Sequence, residues 1–509
     1  MSLSTYPRKN RIALAAVCLA SLMFGLEISS VPVILPTLEQ LLQGNFKDMQ
    51  WIMNAYTIAC TTVLMATGTL ADRYGRRLIF IISIVLFGIT SLICGLARTM
   101  PLLIAGRLLQ GISGGAMLIC QVAVLSHQFR EGRERAKAFA AWGVIFGIGL
   151  GFGPLIGGGI VALFNWQWVF LVHVLIAAVT LVLVFAGVLE SRDPQARELD
   201  VAGMITLSLA VFGLTYYITQ GADIGFLSPL ACLILAVTVI SFLLFIYAER
   251  KSAHPMFDFS IFRIREFSGA LLGSAGMNFS FWPFMIYLPV YFQTALGYDT
   301  VLAGLSLLAY TLPTLAVPPL AEWLALRYRS GIVIPLGMFL IGLGFFLMWY
   351  GSDTVQASWL TMLPGSLLAG IGLGFTNTPV TNATTGAVPV ARAGMASGID
   401  MSARLITLAI NIALMGYLLL LGVGAYLGQA LPGTDAQQLH RLAELVVTGD
   451  KASLRQNMPS LSDEIVHAAL MQGFRWVMLY GATGIWILAG LSYVIFNKGK
   501  VPAARKAYP

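Results

Sequence analysis

The sequence predicts an all-α polytopic membrane protein. Three observations carry that prediction: too few charges for a water-soluble fold, a succession of apolar segments of bilayer-spanning length, and a lopsided placement of Lys and Arg between them. Of 509 residues, 58% are apolar and only 11% are charged, and mean hydropathy is +0.81. A soluble domain carries about 25% charged residues. No water-soluble fold could hide so much apolar surface, so the bilayer is the solvent. The five cysteines, Cys18, Cys60, Cys94, Cys120 and Cys232, all sit in apolar runs without CxxC spacing or a His cluster. They read as small buried hydrophobes, and neither a disulfide nor a metal site is expected.

Fourteen segments approach the roughly 20 residues needed to cross. They run over 11–36, 50–71, 78–97, 100–126, 137–164, 167–189, 201–219, 227–248, 267–293, 301–325, 330–350, 358–384, 394–428 and 472–497. An even count puts both termini on one side. With that side taken as inside, and with Arg11, Lys137 and Arg475 near the ends of their segments counted with the adjoining loops, 23 of the 31 Lys and Arg are cytoplasmic, 6 are outside, and two, Arg107 and Arg404, lie deep within segments. This is a positive-inside distribution with cytoplasmic termini. The net charge of +8 then reflects loops facing an anionic leaflet and needs no nucleic acid.

Segment 1 follows MSLSTYPRKNR and contains Glu27. At about 25 residues it exceeds a signal-peptide core, so it reads as a retained helix. A charge at bilayer depth costs on the order of 2.5–3.5 kcal/mol. Glu27 is therefore either a proton- and cation-binding acid facing a wet cavity or a structural carboxyl with a neighbouring partner. The turn after segment 2 is GTLADRYGRR, a charged knot in which Gly68 and Gly75 permit close approach and a tight turn. Asp72 there can satisfy helix-terminal N–H groups or pair with an Arg. On segment 4, Arg107 is the second intramembrane charge, and it requires an acidic or carbonyl partner. Glu27 is one candidate, though sequence does not establish the contact. On segment 5, Gly149, Gly153, Pro154, Gly157 and Gly158 flatten one face, suited to close helix approach.

Segments 7 and 8 form an inserted pair. Segment 9 is crowded with aromatic and Met residues; Asn278, Trp282, Tyr287 and Tyr291 are candidates to line a pocket for flat cations, through stacking and cation–π attraction, or else to face lipid. EWLALRYRSG, Glu322 to Gly331, weakly echoes the first charged turn, which suggests two related bundles. On segment 12, Asn377 and Asn382 belong to a polar set expected at the cavity or the inner gate. On segment 13, Asp400 and Arg404 are four apart and share a face; they read as an ion pair or as a second protonation site. The single long outer loop, 429–471, reads as a partly helical hairpin. The expected domains are 1–190, a six-helix bundle; 191–266, a linker with the inserted pair; and 267–509, a second six-helix bundle. No GxxxxGK[ST] loop and no catalytic constellation is visible.

Four stretches together resemble the major facilitator superfamily. GTLADRYGRR is similar to its motif A, RLLQGISGGA (Arg107 to Ala116) to motif B, and GLGFGPLIGG (Gly149 to Gly158) to motif C, the antiporter signature. LEISSVPVILP (Leu26 to Pro36) resembles the helix 1 motif of the fourteen-helix drug:proton antiporter branch. QWIMNAY, WQWVFLVHV and HPMFDFSIFR agree with that branch. Departures are Glu27 for the usual Asp, Val33 after Pro32 where Asn-Val is common nearby, His173 and Leu175 for Asn and Pro, and Asp400 at a position usually apolar or amide. The resemblance implies a major facilitator fold of two six-helix bundles plus two inserted helices. It implies that Asp72, Arg73 and Arg76, with Gly68 and Gly75, latch the bundles on the cytoplasmic side, that Arg107 takes part in proton coupling, and that the segment 5 face packs on the opposite bundle and limits leak.

The expected function is proton-coupled efflux of amphipathic, cationic compounds across an inner membrane by alternating access. It needs no cofactor beyond the proton gradient and is not enzymatic. Expected partners are a small-molecule substrate, protons and the bilayer, with a periplasmic adaptor protein as an optional one. The alternatives are a dedicated exporter of one metabolite, siderophore or natural product, and a non-transporting membrane sensor.

Overall fold

The computed structural model describes residues 8–129, 132–192, 200–252, 259–352, 357–388, 393–449, 451–458 and 461–497. Within these, the side chain of Asp72 lies outside the described residues. So do residues 254–258 of HPMFDFSIFR.

The described residues are helical, with no strand among them. The first half contains α1 (Arg8–Leu42), α2 (Phe46–Tyr74), α3 (Arg76–Leu96), α4 (Met100–Gln128), α5 (Gly132–Leu163) and α6 (Gln167–Gly187). Two helices follow, α7 (Val201–Ile224) and α8 (Pro229–Lys251). The second half contains α9 (Arg265–Phe279), α10 (Phe281–Val290), α11 (Thr300–Thr311), α12 (Pro313–Ala316), α13 (Pro318–Tyr328), α14 (Ser330–Gly351), α15 (Trp359–Gly386), α16 (Ala393–Ala430), α17 (Ala436–Thr448), α18 (Lys451–Asn457) and α19 (Asp463–Asn497). Among the described residues, twelve helices are long and apolar enough to cross a membrane. Segments 2 and 9 of the fourteen fall on α2 and on the interrupted pair α9–α10, which are not among those twelve.

Polar residues set the helix ends. Asn45 and Asp48 form a reciprocal capping box at the start of α2, each bond 2.9 Å. Ser228 caps α8 ahead of Pro229, and Asp299 caps α11. Prolines set the breaks that hydropathy alone conceals. The single segment expected over 267–293 is divided at Ser280 and ends in a π turn over Tyr291–Ala295. Pro283 and Pro289 each remove an N–H from that ladder. The segment expected over 301–325 is divided at Pro313 and Pro318 for the same reason. The last helix begins at Asp463, well before the expected 472, because DEIVHAALMQ continues the helical run beyond the apolar core.

In the first half α1 packs on α5 and α6, α2 on α4, and α3 on α4 and α6. In the second half α14 packs on α15 and α19, and α9 on α15, α16 and α19. The α7–α8 pair packs on itself and, through α7, on α2 and α16. Outward-facing apolar side chains such as Val182, Leu233, Leu243 and Ile487 are exposed, a surface suited to hydrocarbon rather than water. The two halves meet along α5–α11 and α2–α16.

Candidate functional site

Glu27 is fully buried inside the first bundle. Its Oε1 pairs with Nη1 of Arg107, which is also fully buried. The guanidinium makes further bonds: Nη1 donates to Gln110 Oε1 at 2.7 Å and Nε to the Ile52 carbonyl at 3.0 Å. It stacks 4.3 Å from the centroid of the Tyr56 ring, a favourable cation–π geometry. Gln110 in turn donates to Ser91 Oγ at 2.9 Å. On the other side, His173 Nε2 lies 3.0 Å from Glu27 Oε2. The site thus draws on α1, α2, α3, α4 and α6.

The glycines of RLLQGISGGA make this cluster possible. A Cβ on Gly111 would collide with the Tyr56 carbonyl, and one on Gly115 would sit 2.9 Å from the Cys60 carbonyl. Small residues here let α4 approach α2 closely enough for Arg107 to reach the Ile52 carbonyl. Gln110 lies three residues after Arg107, so one helix face carries both; that spacing was the available signal for it. His173 was visible as an imidazole inside an apolar run and as one of the departures on segment 6, with no role attached. The Ile52 carbonyl carries no sequence signal at all.

A second polar cluster sits in the other bundle. Buried Asp400 accepts from the Ser274 hydroxyl and pairs with Arg404 Nη2 at 3.0 Å. Arg404 also donates to Asn377 Oδ1 at 2.5 Å and to Thr381 Oγ1 at 2.9 Å. The cluster ties α9, α15 and α16 together, and Thr381 and Asn382 beside it are exposed.

The charged turn has a sharper geometry than its sequence implied. Gly75 has φ +124°, a conformation that favours glycine. A Cβ there would lie 2.7 Å from the Glu190 carboxylate. Glu190 accepts from the Arg77 and Leu78 N–H groups at 3.1 and 3.2 Å, an acidic cap on the start of α3. Arg76 N–H donates to the Ser191 carbonyl at 3.0 Å. Arg73 is exposed. Among the described residues, a Cβ on Gly68, expected to serve close approach, would meet only Ile119, at an ordinary 3.8 Å.

The residues on α5, expected on one face against the opposite bundle, divide between two neighbours. A Cβ on Gly153 would collide with Ser29, and those on Gly149 and Gly157 would crowd Leu22 and Ser30; all three glycines lie against α1 in the same bundle. Ser29 uses the space to donate to the Gly149 carbonyl at 3.0 Å. Gly158 and Pro154 instead face α11, against Thr300 and Gly304. This follows from 100° per residue: positions 149, 153 and 157 share a stripe, and 158 is a step around the helix.

Among the pocket candidates, Tyr287 and Tyr291 are fully enclosed and Asn278 is buried. The Asn278 amide donates to Ser274 O at 2.9 Å. Tyr287 donates to the Ile412 carbonyl and accepts from Gln50 Nε2 at 3.0 Å, joining α10, α16 and α2. Trp282 and Asn377 are half-buried and Asn382 is exposed. Near the start of α2, Lys47 pairs with Glu444 of α17 at 3.2 Å, and Gln293 donates to the Val33 carbonyl at 2.9 Å. Sequence reasoning missed both contacts.

The Major Facilitator Superfamily model matches residues 17–410. The chain belongs to this superfamily. Its membership makes it a transporter rather than an enzyme. The Multidrug resistance protein Stp of Mycobacterium tuberculosis is 30% identical over 455 residues, 89% of this chain and 83% of that protein. The Tetracenomycin C resistance and export protein of Streptomyces glaucescens is 26% identical over 510 residues, 97% and 92% of the two chains. The Quinolone resistance protein NorB of Staphylococcus aureus is 27% identical over 417 residues, 80% and 88% of the two. Among solved structures, a POT family transporter in complex with 5-aminolevulinic acid superposes with TM-score 0.65 at 15% identity, over 98% of each chain. At that identity the likeness concerns the major facilitator fold alone.

Proposed function

We propose that this chain is a proton-coupled antiporter that exports amphipathic, cationic drugs or toxic compounds by alternating access. The observation that carries the reading is the fully buried Glu27–Arg107 pair in the first bundle. An intramembrane ion pair is costly and marks an ion or substrate pathway. A carboxylate that can release Arg107 offers one site for which a proton and a cation compete. Relatives named for multidrug resistance and drug efflux support the substrate class.

In this reading the chain crosses the inner membrane fourteen times, with α2 and the interrupted α9–α10 completing the count, and both termini are cytoplasmic. The bundles are 1–190 and 267–509, with 191–266 supplying the inserted pair. The Lys47–Glu444, Gln50–Tyr287 and Gln293–Val33 contacts then close the outer end, and exposed Thr381 and Asn382 lie toward an open inner end. Asp72, Arg73 and Arg76 act in the opposite, outward-open state as the cytoplasmic latch. Asp400 and Arg404 support the inner gate, and Pro154 and Gly158 seal the bundles against leak. A periplasmic adaptor would dock at the outer end. The dedicated-exporter reading draws on the tetracenomycin relative, whose match spans 97% of this chain.

Proteoliposomes with an imposed inside-acid pH gradient test the proposal. Adding several unrelated lipophilic cations should release protons with the parent protein and not with Glu27→Gln. Silence of the folded parent across the panel would favour a dedicated exporter. Undiminished coupling in Glu27→Gln would remove Glu27 from the mechanism.

A further inference from the structure

The function proposed above gives His173 no task. It is fully buried on α6. Its Nε2 lies 3.0 Å from Glu27 Oε2, the carboxylate oxygen that Arg107 does not engage. Among the described residues neither ring nitrogen of His173 has a hydrogen-bond partner, and neither does Glu27 Oε2, so the Nε2–Oε2 approach is an ion-pair distance without hydrogen-bond alignment. The edge of the Phe87–His173 ring pair closes another side of the imidazole at 5.7 Å between centroids. The charged group facing it is Glu27 on α1, which in turn pairs with Arg107 on α4; Tyr56 and Cys60 on α2 and Cys94 on α3 lie within electrostatic reach of that pair, and the membrane stretch of α5 carries no titratable residue.

We propose that His173 is a proton carrier of this site, working as a pair with Glu27. The proposal rests on the proton-coupled reading above and refines it: Glu27 stays the site of the cation, and the competing proton is carried beside it on the imidazole and not on the carboxylate itself. Charge accounting favours the imidazole as the place where the proton lands. Protonating Glu27 would dismantle its pair with Arg107 and leave a buried guanidinium without a counter-charge. Protonating His173 leaves that pair intact and gives Glu27 Oε2 an imidazolium N–H. A proton taken from water forms one N–H bond on the ring, and its return to water restores the neutral imidazole; no other bond changes. A lipophilic cation arriving at Glu27 competes with the imidazolium for the same oxygen. The result is exchange of one charge for another at one carboxylate.

Tetraphenylphosphonium is the probe, and the full-length protein in detergent and in proteoliposomes is the sample. The chain has five histidines, so ¹⁵N-histidine NMR resolves His173 by the signal lost in His173→Asn. Its ring resonances should report gain and loss of a ring proton across a pH titration, and shift toward the neutral form on saturation with the probe at fixed pH. In proteoliposomes, His173→Asn and His173→Gln should lose about tenfold or more of proton release per probe added, on the scale of a lost proton-transfer group, while still binding the probe. The NMR titration is read on the parent, and substituting His127, His254, His440 and His467 in turn assigns the His173 signal by elimination should neither His173 variant fold. Immobile His173 resonances, or variants that couple like the parent while Glu27→Gln does not, would overturn the proposal and leave the antiporter reading standing. A parent that releases no protons for any cation would overturn both.

Discussion

Arg107 meets five different groups with one side chain: the Glu27 carboxylate, the Gln110 amide, the Ile52 carbonyl and the Tyr56 and Phe170 rings. Truncating it leaves a buried carboxylate uncompensated, which costs about 3–5 kcal/mol for a buried pair. Arg107→Ala should therefore lower the thermal midpoint of the detergent-solubilised protein sharply. Adding Glu27→Gln to it should recover most of the loss, because the remaining amide carries no charge to strand. A thermal-shift double-mutant cycle measures both; simple additivity would mean that the pair does not carry stability. Glu27 and Arg107 were legible in the sequence because a charge inside an apolar run is expensive and so conspicuous. Their contact was not, since it depends on how closely α4 approaches α2 and α1. His173 was legible as a departure without a role, because only the fold brings α6 against α1.

The two charged turns show one element built twice, with different residues. Gly75 joins α2 to α3 at φ +124°, and Arg329 joins α13 to α14 at φ +75°. LADRYG and LALRYR align so that Arg329 occupies the place of Gly75. A side chain in the left-handed region costs roughly 1–2 kcal/mol, and glycine avoids that cost. Arg329→Gly should thus stabilise the folded protein by about 1 kcal/mol, whereas Gly75→Ala should destabilise it, both through strain and by crowding Glu190. Chemical or thermal unfolding of the two variants against the parent reads the opposite signs; a destabilised Arg329→Gly would mean that the arginine side chain contributes more than its backbone costs. At this scale the sequence was informative about segments and poor on their interruptions. Twelve of the fourteen apolar runs coincide with helices long and apolar enough to cross a membrane, since hydropathy and length are enough to find them; the other two fall on α2 and on the interrupted α9–α10. The divisions at Ser280, Pro313 and Pro318 leave hydropathy nearly unchanged, so the apolar count passed over them. The two faces of α5 were merged because glycine spacing gives stripes and not the neighbours that fill them.

At the scale of the whole molecule, the two halves share contacts that are concentrated along α5–α11 and α2–α16, together with a polar clasp beyond them. Lys47 stands in the first turn of α2, Glu444 on the hairpin helix α17, and their ion pair at 3.2 Å is mostly shielded from solvent. The hairpin buries Leu442, Ala443, Val446 and Val447 on its inward side, so it rides with the second half as a packed element. Alternating access requires the α2 end of the first half to part from that element once per cycle. A covalent link in place of the ion pair should therefore arrest transport without unfolding either half. Cys232 is the exposed native thiol, so Lys47→Cys and Glu444→Cys belong in a Cys232→Ser background, bridged by a short methanethiosulfonate cross-linker that reductant can cleave. Transport of a lipophilic cation should fall to the background level on cross-linking and return on reduction, while either single variant treated alike should keep its rate. Continued transport by the cross-linked protein would mean that this end does not open, and that the clasp belongs to the static frame of the transporter and not to its gate.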